Sequence, residues 1–579
     1  MQVMDLRRLT GPNLFLGQAG AVIEVRCGAE EAMRLAGAWR REARRFARLL
    51  GWRGAPNVVP CADGVSLALP APADCLYTAT EVADWAYELA LDHLEGRPRR
   101  RRARAQRELQ ALAAREFDPA LRRLLSAAER NRLPVQLDRD HLTIGQGRFS
   151  RTWRRTDLPP PSWVSLDALA GIPLAVVTGT NGKTTCVRMT AACARASGYR
   201  VGMSTTDGVV IDSCRVRAGD LAGPEGARRV LRDPAVELAV LETARGGLRR
   251  RGLAVTAATA VLITNVEADH LGGFGLSSLA ELADLKWVIT RALSARRRGC
   301  HALATGPGPL VLNADDPMLV ARAAPWGACV TYFSQNSRNQ VLRAHVARGR
   351  SGVTADGGVI LHIHRGISTP VCATSELPVT LAGTASHNVD NALAVVGLAR
   401  AMGLSVAHIA NGLRGFAESD NPGRLNRLQV ARASVLVDFA HNPHGLRALL
   451  NTATRLPARR RALMLGQAGD RSDGAIRALA RAAITGPPLD LIVLKAMTAY
   501  RRGRAIGEVR SLIRDELERC GVPAERIALV DDEVTGTRLL LEWLRPGDQA
   551  LVLVHEAREA VMDLLRAHAS ERPATPAAP

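Results

Sequence analysis

The sequence predicts an α/β protein: a central P-loop domain, a C-terminal Rossmann-like α/β domain, and a smaller α+β region ahead of both. Three observations carry this. From Ile172 short apolar strands alternate with helical stretches, the pattern of a parallel sheet covered on both faces. A glycine-containing turn, Thr178 to Gly182, joins an apolar strand at Leu174 to Val177 to a helical pattern that runs from Thr184 to near Gly198. After the run NPGR, Asn421 to Arg424, a second series starts, with strands near Val435, Ala462, Leu491, Ile527 and Ala550. A chain of 579 residues exceeds what one core organises. The expected divisions are 1–160, 161–418 and 419–568, with 569–579 as a disordered tail.

Composition narrows the class. A hydrophobic content of 47% with 23% charged residues excludes wholesale disorder. No apolar run approaches the ~20 residues that span a bilayer, and MQVMDLRRLTGPN lacks a signal-like apolar core, so the expected compartment is the cytoplasm. Ten cysteines without a C-x-x-C pair fit reduced thiols, with Cys186 a packing residue. The net charge of +21 includes the cluster RPRRRRARAQR, Arg97 to Arg107. Without aromatic interleaving or a recognisable motif it argues against nucleic acid. It leaves an acidic polymer, or a solvated helix in an arginine-rich chain, as its readings.

The basic residues are almost all arginine. Only Lys183, Lys286 and Lys495 are lysine among 77. An ammonium is a compact charge that can lose its proton and act as a nucleophile, which guanidinium does not do. Lys183 lies in GTNGKTT, where backbone amides from Gly179 through Thr180, Asn181 and Gly182 to Thr184 and Thr185 are set to approach phosphate at a helix N-terminus. Lys183 would reach the terminal phosphates and the Thr184 hydroxyl would meet magnesium, although Val177 stands where the strict motif has its first glycine. Lys286, in LAELADLKWVITRAL, sits on a helical pattern that also suits a surface lysine. Lys495 ends the strand DLIVLK; a contact to substrate carboxylate or phosphate and an ordinary strand-end charge are equally open.

GTNGKTT resembles the nucleotide loop of the Mur ligase family, and further motifs follow in that family's order. LETARGG carries Glu242, TNVEADHLGG His270, NADDP Asn313 and Asp316, GTASHNVDN His387, Asn388 and Asn391, NPGR Arg424, and DFAHNPHG Asp438 and His441. TTDGV, LETARGGLRRRGL, GDRSDG and YRRGRAIGEV are similar to the Mur-like half of the cyanophycin synthetase subgroup. LTGPN and TATEVADWAYELALDHLEG resemble degenerate forms of that subgroup's N-terminal region. Between them the subgroup has an ATP-grasp domain; here Arg130 to Pro159 resembles the lead into it, yet the P-loop strand begins about fifteen residues later.

The resemblance implies an ATP-dependent ligase working through an acyl phosphate. It assigns Thr184 and Glu242 to one magnesium ion, and His270 with Lys286, carbamylated by carbon dioxide, to a second. Asn313, His387 and Asn388 would hold the adenine side, Asp438 the ribose, Arg424 the phosphates from across the cleft, and His441 would lie near the γ-phosphate. Arg502, Arg504 and Glu508 would shape the incoming amino acid's pocket, with Lys495 beside them. Taken singly, His270 also fits a turn cap and Asn388 a helix cap. The implied substrates are an amino acid, arginine first, and an aspartate-containing peptide or polymer. Ligation of another amino acid or a small acidic metabolite is the alternative, and so is a nucleotide-binding accessory subunit of a full-length cyanophycin synthetase. A homo-oligomer, or association with such a synthetase, is the implied partner arrangement.

Overall fold

The computed structural model describes residues 1–61, 63–97, 101–269, 278–294 and 309–570. His270, part of the Arg97–Arg107 cluster, and most of the expected tail lie outside the described residues. Four sheets are formed among the described residues.

The first is antiparallel, in the order β1-β2-β4-β3, from β1 (Gln2–Leu9), β2 (Gly20–Arg26), β3 (Asn57–Cys61) and β4 (Gly64–Pro70). One face is covered by the helices Ala29–Leu49 and Leu76–Leu94, which bury Trp39, Phe46 and Val82 against Ile23 and Leu67. A small antiparallel sheet follows: β5 (Val135–Leu137), β6 (His141–Ile144) and β7 (Arg151–Arg154). It docks on the next domain through Arg148 with Glu237 (3.0 Å), and through Arg232 Nε, which donates to Thr143 Oγ1 (2.9 Å).

The central sheet has eleven strands. In chain order they are β8 (Leu174–Thr178), β9 (Val201–Thr205), β10 (Gly208–Ile211), β11 (Cys214–Ala218), β12 (Leu238–Glu242) and β13 (Ala260–Ile263). They continue with β14 (Leu310–Asn313), β15 (Val330–Ser334), β16 (Ser351–Asp356), β17 (Val359–His364) and β18 (Ile367–Ala373). Their spatial order is β11-β10-β9-β12-β8-β13-β14-β15-β16-β17-β18. The middle, β9 through β16 in that order, is parallel and almost wholly apolar because helices cover both faces. Both edges, expected to be parallel, are antiparallel hairpins. Their turns explain it: Asp212–Ser213, Gly357–Gly358 and Arg365–Gly366 each place two successive residues at positive φ, the geometry that joins adjacent antiparallel strands in two residues.

The last sheet runs β19-β20-β24-β21-β22-β23, from β19 (Asn426–Val430), β20 (Ala433–Asp438), β21 (Arg461–Leu465), β22 (Leu491–Lys495), β23 (Ile527–Val530) and β24 (Gln549–Leu553). All are parallel except β19 at the edge. Among the described residues no helix is long and apolar enough to cross a membrane.

The turn Asn421 to Arg424 joins the two large sheets. Asn426 clamps it: its side-chain amide donates to Glu418 O (3.0 Å) and Asn421 O (3.2 Å), while Oδ1 accepts from Gly423 N. Gly423 has φ +72°, and a Cβ there would come within 2.4 Å of Arg558 Cδ. Gly198, at φ +85°, faces open space instead. Gly423→Ala should therefore lower the free energy of unfolding by about 1–3 kcal/mol, more than Gly198→Ala, read as the shift in denaturant midpoint at unchanged slope.

Candidate active site

The carboxyl ends of β8, β12, β13, β14 and β20 open into one cleft of about 960 Å³. Open α/β sheets bind ligands at this end, where backbone amides and strand-tip side chains converge. The floor is the loop Gly179 to Gly182 and the N-terminus of the helix Lys183–Ala196. Two glycines are required here. A Cβ on Gly182 (φ +82°) would lie 2.2 Å from Asn391 Oδ1, and one on Gly179 (φ +151°) would lie 1.8 Å from Thr264 Oγ1. The loop is pinned from β13: Asn181 N donates to Asn265 Oδ1 (2.9 Å), and Glu267 N to Thr180 Oγ1 (2.9 Å). Thr185 is held from the interdomain turn by Asn421 Nδ2 (3.3 Å).

Charge is concentrated under burial. Glu242, at the end of β12, is 2% exposed and accepts from Thr184 Oγ1 at 2.8 Å. Burial pushes its carboxyl up, while Lys183, Arg424 and the Thr184 hydroxyl favour the carboxylate. Burial lowers the Lys183 ammonium, opposed by Glu242 and Asp269; its Nζ donates to Thr180 O (2.8 Å). Lys286 is 3% exposed rather than on the surface, and its Nζ donates to the P-loop carbonyl of Gly179 at 2.7 Å. Burial, with Lys183 and Arg245 nearby, holds that amine well below the usual lysine range. A hydroxyl and carboxylate oxygens make a hard oxygen donor set of the kind magnesium takes. Among the described residues no group of three or more His, Cys, Asp or Glu gathers to hold a metal, and His270 lies outside them.

A second part of the cleft is lined by Asn313, Phe333, His387, Asn388 and Asp390. Asn388 Nδ2 donates to Val379 O (2.7 Å) and its Oδ1 accepts from Asn391 (3.0 Å), so this side chain braces the start of the helix Ser386–Ala401. Among the described residues His387 Nδ1 is buried without a hydrogen-bond partner, and burial lowers its imidazole to about 4. Asn313 Oδ1 accepts from Asp315 N (2.9 Å), and Asp316 caps the helix Pro317–Ala323 while accepting from Val266 N (2.6 Å).

The C-terminal domain supplies the opposite wall. Both Asp438 oxygens accept backbone amides, from Ala440 and Leu425, at 2.8 Å each, and burial raises the carboxyl. Arg424 stacks over the Phe439 ring at 4.5 Å, its Nε buried and without a hydrogen-bond partner among the described residues. His441 Nε2 stands 3.5 Å from Asp269 Oδ2.

Several contacts across the cleft were not expected from sequence. Asp269, one residue before His270, also pairs with Arg471 from the GDRSDG run (3.2 Å), and these partners hold its carboxyl far below the usual range. Asn181 of the P-loop and Asn442 exchange amide contacts (2.9 Å), and Asn181 Nδ2 lies 3.1 Å from His444 Nδ1. Asp207 joins Arg188 (2.7 Å) of its own domain to Arg558 of the other. Only their place inside longer runs, such as DH, HNP and GDR, marks these residues in the sequence. Arg245 and Arg250 line the cleft from the helix Arg245–Arg251. That helix is gripped by the N-terminal region: Arg249 pairs with Glu24, Thr10 N donates to Arg251 O (2.8 Å), and Leu253 N donates to Pro12 O (2.6 Å).

The four residues expected around the incoming amino acid fall differently. Arg502 lines the cleft and is exposed. Arg504 is engaged by the carbonyls of Gly469 (3.0 Å) and Arg471 (2.8 Å) and by Asp473 and Glu508. Lys495, for which the sequence leaves a ligand contact and an ordinary strand-end charge equally open, is 2% exposed and enclosed within its own domain, bonded to Glu533. Neither Arg504 nor Lys495 lines the cleft, because neighbouring carboxylates and carbonyls satisfy their donors.

The chain is 34% identical over 398 residues to the cyanophycin synthetase of Synechocystis sp. (strain PCC 6803), covering 68% of this chain and 44% of that protein. It spans less than half the length of the cyanophycin synthetases it matches. It is 25% identical over 398 residues to the UDP-N-acetylmuramoyl-L-alanyl-D-glutamate–2,6-diaminopimelate ligase of Corynebacterium efficiens, covering 67% and 69% of the two chains. Among solved structures, E. coli FolC in complex with DHPP and ADP aligns with a TM-score of 0.47 and 17% identity, over 69% of this chain and 89% of that one. Two family descriptions, the Mur ligase middle domain over residues 177–399 and the Mur ligase glutamate ligase domain over residues 423–554, together match more than half of the chain, which belongs to the Mur ligase family.

Proposed function

We propose that the protein is an ATP-dependent acid–amino-acid ligase, with one nucleotide site, that activates an acceptor carboxylate as an acyl phosphate. The observation that carries this is the buried Lys286 amine, bonded to the P-loop carbonyl of Gly179 next to the Lys183–Glu242–Thr184 cluster in a cleft shared by two domains. In the first step an acceptor carboxylate oxygen attacks the γ-phosphorus and ADP leaves. In the second an amine attacks the acyl carbon and phosphate leaves. Both steps gather negative charge, which Lys183, the P-loop amides and Arg424 would offset from two sides. Thr184 and Glu242 would hold magnesium, which supplies charge neutralisation at the phosphates. Lys286, kept neutral by burial, is the form of amine that adds carbon dioxide; the resulting carbamate would serve with His270 as a further set of ligands. Asn313, His387 and Asn388 would border the adenine and Asp438 the ribose. The cross-cleft contacts of Asp269, Asn181 and Asp207 would close the two domains and exclude water from the acyl phosphate.

Arginine as the incoming amino acid and an aspartate-containing peptide or polymer as the acceptor form the first substrate pair to test, on the similarity to cyanophycin synthetases. The short connection between β7 and β8 has no room for an additional nucleotide-binding domain, so this reading assigns the chain one ligation rather than two. A cytoplasmic location accords with this chemistry, as do the readings of the basic cluster as a surface for an acidic polymer and of the chain divisions given above.

An ADP-release screen of acidic acceptors against the common amino acids, aspartate–arginine peptides included, should give release that needs both an acceptor and an amine. No release from any pair, together with co-purification with a full-length synthetase, would favour an accessory subunit. Lys286→Arg should abolish ligation while the protein still folds cooperatively, because guanidinium cannot form the carbamate; normal product formation by that variant would sink the assignment. Arg471→Met leaves Asp269 with one cross-domain partner fewer, and should raise the KM for ATP by about tenfold in steady-state kinetics.

A further inference from the structure

Lys495 has no place in that mechanism, yet it is one of only three lysines. Its surroundings explain its retention. The ammonium has three hydrogens and meets three acceptors in different directions: Glu533 Oε1, Leu553 O (2.6 Å) and His555 Nδ1 (3.0 Å). The Glu533 carboxylate is buried as well, and it also accepts the backbone amides of His555 (2.6 Å), Glu556 (3.1 Å) and Ala557 (2.7 Å). A planar guanidinium cannot meet three acceptors arranged around a point.

The hydrogen bond from Lys495 fixes His555 as an acceptor at Nδ1, so its remaining hydrogen sits on Nε2. That nitrogen lies 3.3 Å from Ala440 O. Burial and the Lys495 charge keep the imidazole well below its usual range, hence neutral. The ring also packs edge-on against Phe439, with centroids 5.0 Å apart. Phe439 in turn lies under Arg424 (4.5 Å) and against His441 (5.4 Å). The chain of contacts runs from a buried ion pair between the tip of β22 and the start of the helix Glu533–Trp543 to the turn that presents Asp438, Arg424 and His441 to the cleft.

We propose that Lys495, Glu533 and His555 form a buried positioning assembly for the nucleotide site: His555, oriented by Lys495, holds the Asp438–His441 turn and the Phe439 ring on which Arg424 rests. This rests on the proposed nucleotide-binding reading of the cleft. None of the three residues touches substrate; they act through Ala440 and Phe439.

The test uses the full chain, with magnesium–ADP binding by titration calorimetry and hydrogen exchange of the Asp438–His441 amides as independent readouts. His555→Phe keeps the ring against Phe439 and removes both hydrogen bonds. It should weaken ADP binding by about tenfold and speed exchange in the turn, measured well below the melting transition. The pair Lys495→Met with Glu533→Gln removes both charges together, which avoids stranding either one in the interior. It should melt near the parent yet still bind ADP about tenfold more weakly, because His555 has lost the donor that orients it. Parental affinity in either variant, or parental exchange in His555→Phe, would overturn the assembly and reduce Lys495 to a packing role. A parent chain that binds no ADP would overturn the nucleotide reading and this inference with it. Unchanged exchange in the turn would overturn the inference whatever the nucleotide result.

Discussion

The buried carboxylate of Glu242 is the constraint around which the cleft is organised. An ionised group at 2% exposure is tolerated only when cations and donors surround it. Lys183 and Thr184 supply them from the P-loop helix, Thr206 N from the end of β9, and Arg424 from the interdomain turn. Three separate chain segments are thus drawn to one point at the carboxyl end of the central sheet. Two of the same cations, Lys183 and Arg424, are those a polyphosphate would need, so the balance that allows Glu242 to be buried would also suit the proposed nucleotide.

Closure follows the same logic with different groups. Asp269, Asp207 and Asn181 belong to the central domain, and each contacts a residue of the C-terminal domain, His441 with Arg471, Arg558, and Asn442 respectively. These are polar contacts around a cleft, and beside them Ala385 and Leu381 of the central domain pack into the C-terminal core with Leu446 and Leu449. Around the cleft the domains meet through directional bonds whose geometry depends on the NPGR turn, itself clamped by Asn426. In the proposed mechanism an acyl phosphate would be shielded from water only while both walls are in register, and the turn that carries Arg424 sets that register.

The N-terminal region enters through the helix Arg245–Arg251. Its outer side is tied to Glu24 and to the segment Thr10–Pro12, while Arg245 and Arg250 line the cleft. The small sheet β5–β7 fastens the same region to Glu237 and Arg232 at the other end of β12. The region therefore holds both ends of the strand that carries Glu242.

Much of this could be read from the chain alone. The P-loop, the strand tips bearing Glu242 and Asn313, and the second strand series after NPGR follow from apolar periodicity and from glycines at positions where a Cβ would collide. The abundance of arginine made the three lysines informative, and for Lys183 the motif itself gave the reason. The rest needed three dimensions. Asp269, Arg471, Asn442 and Asp207 are unremarkable in sequence because their partners lie tens or hundreds of residues away. The antiparallel edges of the central sheet depend on two-residue turns whose positive φ values do not alter the apolar pattern. Lys495 is the clearest case: a lysine at a strand tip looks the same whether it faces a ligand or a buried glutamate. The sequence determined that this position is lysine; folding determined that Glu533, Leu553 and His555 consume all three of its hydrogens, since only the packing of β22, β24 and the helix Glu533–Trp543 brings those acceptors together.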